Sequence, residues 1–165
     1  MISNKNFFNN SKVLPVDKFI ENVLYNKKVG YYSSNLPFGK RGDFLTAPGI
    51  SNLFSEIIGI WFISTWNTLG RPKNFNIVEL GPGDGSLTKT LLTTFEKFPT
   101  FNRATRIFLY EKSTLLKRLQ KKNIKNLKVK WIKNFTDIKK GPVIFLGNEF
   151  FDAIPIKQFS RRKNL

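Results

Sequence analysis

The chain contains neither cysteine nor histidine among its 165 residues. These absences exclude disulfide bridges, zinc sites built on Cys or His, cysteine nucleophiles and histidine general bases. Any chemistry must therefore rely on carboxylates, amides, hydroxyls, Lys, Arg or backbone groups, and we predict no metal site.

A long hydrophobic run is absent as well. The most apolar segment, residues 57–66, has about half of the ~20 residues that a membrane-spanning helix needs. Residues 1–19 have neither the apolar stretch of a secretory signal nor the Arg-rich amphipathic character of a transit peptide. We therefore expect no membrane span and a cytoplasmic location.

Acidic residues are scarce: 11 Asp and Glu stand against 28 Lys and Arg, a formal net charge of +17. Such a balance allows contact with nucleic acid. The basic residues are spread along the chain, however, and charge alone governs solubility and non-specific association. The charge therefore leaves nucleic acid open as an alternative partner. Hydrophobic residues make up 41% of the chain, so we expect a folded protein with a real core.

The spacing of apolar residues predicts alternating helices and strands. Helical periodicity and cap residues indicate helices over residues 15–26, 51–69, 86–98 and 113–122. Short apolar runs indicate strands over residues 76–80, 107–110, 129–132 and 142–146. Residues 31–49, rich in Gly, Pro and Ser, are predicted to be irregular.

The order β-α-β-α-β-β predicts an α/β fold, a parallel Rossmann-like sheet with helices on its faces. We expect this sheet to be incomplete, because doubly wound sheets normally have about six strands. We predict two parts, an N-terminal helical extension with a cofactor-covering loop, residues 1–70, and a Rossmann-like half-domain, residues 71–165.

A glycine-rich turn, Glu-Leu-Gly-Pro-Gly-Asp-Gly, occupies residues 79–85 directly after the first predicted strand. Glycines at the alternate positions Gly81, Gly83 and Gly85 let the backbone turn tightly and approach a ligand closely. The helix that follows presents free backbone N–H groups at its start. This pattern predicts a site for a nucleotide-like cofactor, and a turn that merely connects strand to helix is the alternative.

Two acids flanking the turn favour one class of cofactor. Dinucleotide sites prefer G-x-G-x-x-G, whereas this turn has the pattern G-x-G-x-G. Glu79, at the end of the first strand, would attract the cationic methionine part of S-adenosylmethionine (SAM) but repel a pyrophosphate. Glu111, at the end of the second strand, is suited to accept hydrogen bonds from ribose hydroxyls. We therefore predict a SAM site.

Acids are concentrated where open α/β sheets bind ligands, in loops and at the C-terminal ends of strands. Six of the eleven lie there: Asp43, Glu79, Asp84, Glu111, Glu149 and Asp152. Helix capping explains Asp84 and Asp152 equally well. We expect the fourth strand beside the first, so Asn148 and Glu149, which follow it, are the candidate catalytic residues; they would hold a substrate nitrogen or orient the methionine part of the cofactor.

Three blocks of the sequence resemble the MidA-type methyltransferases, a family that includes a protein arginine methyltransferase of mitochondrial complex I assembly. They are GYYSSNLPFGKRGDFLTAPGISNLFSEIIGIW, GRPKNFNIVELGPGDGSL and GNEFFDAIPIKQF. The resemblance implies a class I SAM-binding fold in which Asp43 and Thr46 cover the cofactor. Gly49 stands where the family has Glu. Family members are more than twice as long, so we expect their remaining strands and substrate-recognition region to follow residue 165.

The resemblance also implies a reaction, methyl transfer from SAM to a protein nitrogen, with an arginine side chain as acceptor and a link to respiratory complex I assembly. Such a displacement depends on positioning and desolvation, so it needs no histidine. Glu149 is the candidate to pair with a guanidinium. Two alternatives stay open: a nucleic-acid amino-methyltransferase, which the charge and Asn148 suggest, and a non-catalytic fragment that binds SAM.

Overall fold

A computed structural model describes residues 13–34, 51–125 and 128–161 of the chain. The described residues form two compact units, one with residues up to 34 and from 149 onward, the other with those between 51 and 148. The predicted division between residues 70 and 71 stays a prediction. No helix among the described residues is long and apolar enough to cross a membrane.

The described residues of the smaller unit form two helices and a 3-10 turn. Helix α1 spans Val16–Tyr25, the single turn α2 spans Tyr31–Ser34, and the 3-10 turn spans Phe151–Ala153. The hydroxyl of Tyr25 donates to the carbonyl oxygen of Ala153 at 2.8 Å, and its ring stacks on Tyr32 with the centroids 5.7 Å apart. One tyrosine thus connects α1 to both α2 and the later 3-10 turn.

The larger unit is built on a four-stranded parallel sheet in the order β3-β2-β1-β4. The strands are β1 Phe75–Leu80, β2 Thr105–Tyr110, β3 Val129–Ile132 and β4 Val143–Leu146. The helices are α3 Asn52–Thr68, α4 Ser86–Glu96, α5 Pro99–Ala104 and α6 Thr114–Asn123, with a 3-10 turn at Phe135–Asp137. This arrangement confirms the predicted α/β class and the predicted position of the fourth strand beside the first.

The sequence prediction is wrong at two places. The helix predicted over residues 86–98 ends at Glu96, and Pro99 begins the additional helix α5 instead of only ending its predecessor. Proline suits the first helical turn because its missing N–H has no intrahelical partner there. Residues 31–34, predicted to be irregular, form the helical turn α2, while residues 35–49 lie outside the described part of the chain.

Helices α3, α4 and α5 pack on one face of the sheet and form the main core with it. Phe101 of α5 lies at its centre, 1% exposed, with ring centroids 4.8 Å from Phe95, 5.4 Å from Trp66 and 5.8 Å from Phe75. The tight contact of α3 with α4 depends on Gly59, where a Cβ atom would lie 3.0 Å from the Thr94 side chain.

The opposite face of the sheet carries a smaller apolar cluster. Val78, Phe108 and Ile132 are buried there, while Phe135 and Phe145 contact each other and stay half exposed. The edge strand β4 contains no charged residue, whereas the edge strand β3 contains Lys130. Lysine on an edge strand discourages pairing with a strand of another molecule. The β3 edge is therefore better protected against such pairing than the β4 edge.

The ring cluster around Phe101 makes a prediction for stability. Phe101→Ala should lower the free energy of unfolding by about 3–5 kcal/mol, because it removes a fully buried ring and leaves a cavity. Phe135→Ala, at a half-exposed ring, should cost about 1 kcal/mol. Urea unfolding of both variants measures the difference, and equal losses would show that Phe101 is not central to the core.

Candidate cofactor-binding site

The glycine turn after β1 has a backbone that favours glycine at three positions. Gly81, Gly83 and Gly85 have φ angles of +62°, +57° and +86°, in the left-handed region that other residues rarely adopt. The N–H of Gly81 donates to the carbonyl oxygen of Tyr110 at 3.0 Å, so the turn is fastened to the end of β2. A Cβ atom at Gly85 would lie 2.7 Å from the Ile124 side chain.

Glu79, the penultimate residue of β1, has a buried carboxylate that is 3% exposed. It accepts a hydrogen bond from the hydroxyl of Thr88 on α4, and among the described residues no Lys or Arg forms an ion pair with it. Burial raises the pKa of Glu79 to about 7; the Thr88 hydrogen bond opposes this rise, and the negative charge of Asp84 adds to it. A buried acid of this kind fits a cationic ligand group, which would compensate its charge.

Glu111, the first residue after β2, has a carboxylate held from two sides. Its Oε1 accepts from the backbone N–H of Ser113 at 2.7 Å, and its Oε2 accepts from the side-chain amide of Gln120 at 3.3 Å. Burial raises the pKa of Glu111, while the hydrogen bonds from Ser113 and Gln120 act in the opposite direction. A carboxylate offers about four acceptor sites, so Glu111 keeps the capacity to accept ligand hydroxyls.

Asp84, inside the turn, acts as a local cap. Its Oδ1 accepts from the backbone N–H of Ser86 at 2.9 Å, at the start of α4. The capping interpretation therefore explains this residue, and nothing requires Asp84 to contact a ligand. Asp152 is exposed in the 3-10 turn of the smaller unit.

Three polar residues that support the turn were not predicted from the sequence. Thr88 binds Glu79, Gln120 donates to the carbonyl oxygen of Gly83 at 2.8 Å, and Asn123 donates to that of Asp84 at 2.9 Å. A sequence signal existed for Gln120: it follows Leu116 by four residues and therefore lies on the same buried stripe of α6. A polar residue in an apolar register is a mark of a buried hydrogen-bond network.

The other candidate residues lie elsewhere. Asn148 is half-buried, two residues after β4 in the larger unit. Glu149 belongs to the smaller unit and is exposed, with a left-handed φ of +53° that is uncommon outside glycine. Asp43 and Thr46 lie outside the described residues. Within the larger unit, then, the structure brings together Glu79, the glycine turn and Glu111.

Parallel strand register explains why these groups meet. Leu80 of β1 is paired with Tyr110 of β2, so the turn after β1 and Glu111 after β2 leave the sheet at the same edge. β4 lies on the other side of β1, with Glu79 paired with Leu146, and this places the topological switch point at the same edge. Such an arrangement defines the nucleotide-binding part of a Rossmann-like fold.

Comparison with known proteins identifies the particular family. Residues 57–165 match the family model Methyltransf_28, described as S-adenosyl-L-methionine-dependent methyltransferases, and the chain belongs to this family. It is 34% identical to the protein arginine methyltransferase NDUFAF7 homolog of Drosophila melanogaster, over 87% of this chain and 38% of the relative. It is 32% identical to the human protein arginine methyltransferase NDUFAF7, over 90% of this chain and 39% of the relative.

Solved structures agree with this membership. A COG1565 superfamily member from Burkholderia thailandensis, crystallised with S-adenosyl-homocysteine, superposes with a TM-score of 0.72 at 27% identity. The match covers 86% of this chain and 38% of that one. These findings confirm the resemblance to MidA-type methyltransferases. The chain spans 38% of the length of the Drosophila relative, 39% of the human relative and 38% of that solved chain.

The predicted cytoplasmic location is wrong. The Drosophila, zebrafish and human relatives are all named mitochondrial. The prediction rested on the absence of Arg-rich amphipathic character near residue 1, and that pattern is a weak guide to the compartment of a protein.

The buried carboxyl of Glu79 predicts a pH dependence of stability. Below about pH 4.5 it is neutral in both the folded and unfolded chain. As the pH rises to about 7, this carboxyl ionises in the unfolded chain but stays neutral in the folded chain. The free energy of unfolding therefore falls by roughly 3 kcal/mol, because each unit of difference in pKa is worth about 1.4 kcal/mol. Glu79→Gln should remove this decrease in the free energy of unfolding between pH 5 and pH 8, which urea unfolding at each pH measures.

The matched control for this experiment is Glu96→Gln, at an exposed acid that is the last residue of α4. Its pH dependence should equal that of the unaltered chain. If Glu79→Gln also leaves the pH dependence unchanged, the carboxyl of Glu79 titrates as an ordinary exposed acid and is not buried in solution.

Proposed function

We propose that this chain is the SAM-binding part of a protein arginine N-methyltransferase. The observation that carries the proposal is the Glu79 carboxylate, buried beside the glycine turn with no cationic partner among the described residues. Membership in the SAM-dependent family supports it, as do the NDUFAF7 relatives, which are named protein arginine methyltransferases. The solved neighbour with S-adenosyl-homocysteine supports the same type of ligand.

The residues of the turn and its flanking acids fit this cofactor. Glu79 would pair with the methionine ammonium, and Glu111 would accept hydrogen bonds from the ribose hydroxyls. The glycines let the backbone approach the ligand where side chains would obstruct it. Asp43 and Thr46 are proposed to cover it, as the family resemblance implies. When bound, SAM supplies an electrophilic methyl group on a sulfonium.

The contribution of the chain to methyl transfer is therefore binding and orientation. Methyl displacement requires the acceptor nitrogen in line with the breaking bond and water kept out of the site. Asn148 and Glu149 are proposed to hold the acceptor, with the Glu149 carboxylate pairing with the substrate guanidinium. The protein substrate is proposed to take part in the assembly of respiratory complex I, as the resemblance implies.

Cofactor binding is tested by calorimetry of the 165-residue chain with SAM and with S-adenosylhomocysteine. We expect binding of both ligands, and an affinity that rises by up to ~10-fold per pH unit below pH 7 and then levels off, because the ionised carboxylate of Glu79 attracts the ammonium. Glu79→Gln should bind at least ~10-fold more weakly, without that pH dependence. Glu96→Gln should bind like the unaltered chain, and absence of binding by the unaltered chain would refute the proposal.

The acceptor assignment makes a separate prediction. Incubation with SAM and an arginine-containing protein fraction should yield methylarginine, detected by mass spectrometry. Glu149→Gln should lower the rate by ~10-fold or more while leaving the affinity for SAM unchanged, because its carboxylate serves the acceptor and not the cofactor. Methylated nucleic acid in place of methylarginine would assign the chain to the alternative class of acceptor.

A further inference from the structure

Gln120 is fully buried on α6, and every polar atom of its side chain has a partner. Its amide nitrogen donates to the carbonyl oxygen of Gly83 at 2.8 Å and to Oε2 of Glu111 at 3.3 Å. Its amide oxygen accepts from the indole N–H of Trp131 at 2.9 Å. The orientation of the amide is determined by chemistry, since the carbonyl and carboxylate can only accept and the indole can only donate.

These three bonds connect separate parts of the candidate site. Gly83 is in the turn after β1, Glu111 follows β2, and Trp131 lies on the edge strand β3. One amide therefore holds the middle of the glycine turn at a fixed position relative to the carboxylate that follows the neighbouring strand. Covalent structure does not fix that relation, because Glu111 is 28 positions after Gly83 in the chain.

The end of α6 adds two contacts to the turn that bypass Glu111. Asn123 donates to the carbonyl oxygen of Asp84, and Ile124 packs where a Cβ atom of Gly85 would be. The second half of the turn is therefore held without Gln120. Gln120 supplies the bonds to the carbonyl oxygen of Gly83 and to the Glu111 carboxylate, whose other oxygen accepts from the backbone N–H of Ser113.

We propose that Gln120 is a positioning residue for the nucleoside part of the cofactor: it orients the Glu111 carboxylate toward a ribose diol and sets its distance from the glycine turn. This inference rests on the function proposed above, and the ligand class is a nucleoside with free ribose hydroxyls. Trp131 acts one step further away, because its indole N–H holds the amide oxygen of Gln120.

A double-mutant cycle tests whether Gln120 acts through Glu111. Gln120→Met keeps the length of the side chain and removes its polar atoms, and it should weaken binding of S-adenosylhomocysteine by ~10-fold in calorimetry. Glu111→Gln should weaken it by a similar factor. The double variant should bind no more than about threefold more weakly than Glu111→Gln alone, because the two changes interrupt the same interaction.

A merely structural role would give the opposite result. If Gln120→Met only loosened the chain, its effect on affinity would multiply with that of Glu111→Gln, and the proposal would be overturned. Asn123→Ala provides the matched control, since it loosens the turn without touching Glu111. Its effect should multiply with that of Glu111→Gln.

Trp131→Phe keeps the test decisive if Gln120→Met fails to fold. This variant retains an aromatic ring but loses the indole N–H, and it should weaken binding of S-adenosylhomocysteine about threefold without a further effect in the Glu111→Gln background. Full affinity in Trp131→Phe and Gln120→Met would refute the positioning role while leaving SAM binding intact. Absence of binding by the unaltered chain would instead refute the proposed function.

Discussion

The turn that joins β1 to α4 is the constraint on which the larger unit depends. Its three glycines have left-handed backbones, and at Gly85 no side chain fits because Ile124 already occupies the space. The end of α6 can pack this closely against the turn only because Gly85 has no side chain. That packing brings the side-chain amides of Gln120 and Asn123 within hydrogen-bond distance of the carbonyl oxygens of the turn. The backbone conformation of the turn and the position of α6 therefore depend on each other.

The two acids that flank this turn lower the stability of the fold when they ionise, and hydrogen bonds from neighbouring residues partly offset this loss. Burial raises the pKa of both Glu79 and Glu111, so ionising either of them works against folding. The hydroxyl of Thr88 and the amide of Gln120 each supply a hydrogen bond that favours the ionised form. Glu79 is buried and Glu111 is half-buried, and neither forms an ion pair with a Lys or Arg among the described residues. This edge of the sheet therefore gives up stability, as binding sites commonly do.

Much of the architecture was predictable because it follows from local periodicity. The four strands and the main helices lie close to their predicted positions, and the parallel order follows from the alternation of strand and helix. The N-terminus of α5 escaped prediction because Pro99 can end one helix or begin the next, and packing of Phe101 against Phe95 and Trp66 decides between them. The roles of Thr88 and Gln120 were not predicted, because a single polar residue on the buried face of a helix does not indicate which distant residue it contacts.

By itself, the sequence determined the turn, its flanking acids and the class of cofactor, because glycine spacing and the end of a strand are local properties that side-chain type encodes directly. The tertiary structure alone decided which of these groups meet. Parallel register brings Glu111 to the same edge as Gly81, although 30 positions separate them, and the fold of α6 inserts Gln120 between them. The physical reason is that hydrogen bonds between distant segments depend on the packing of whole helices against the sheet, which no short pattern contains.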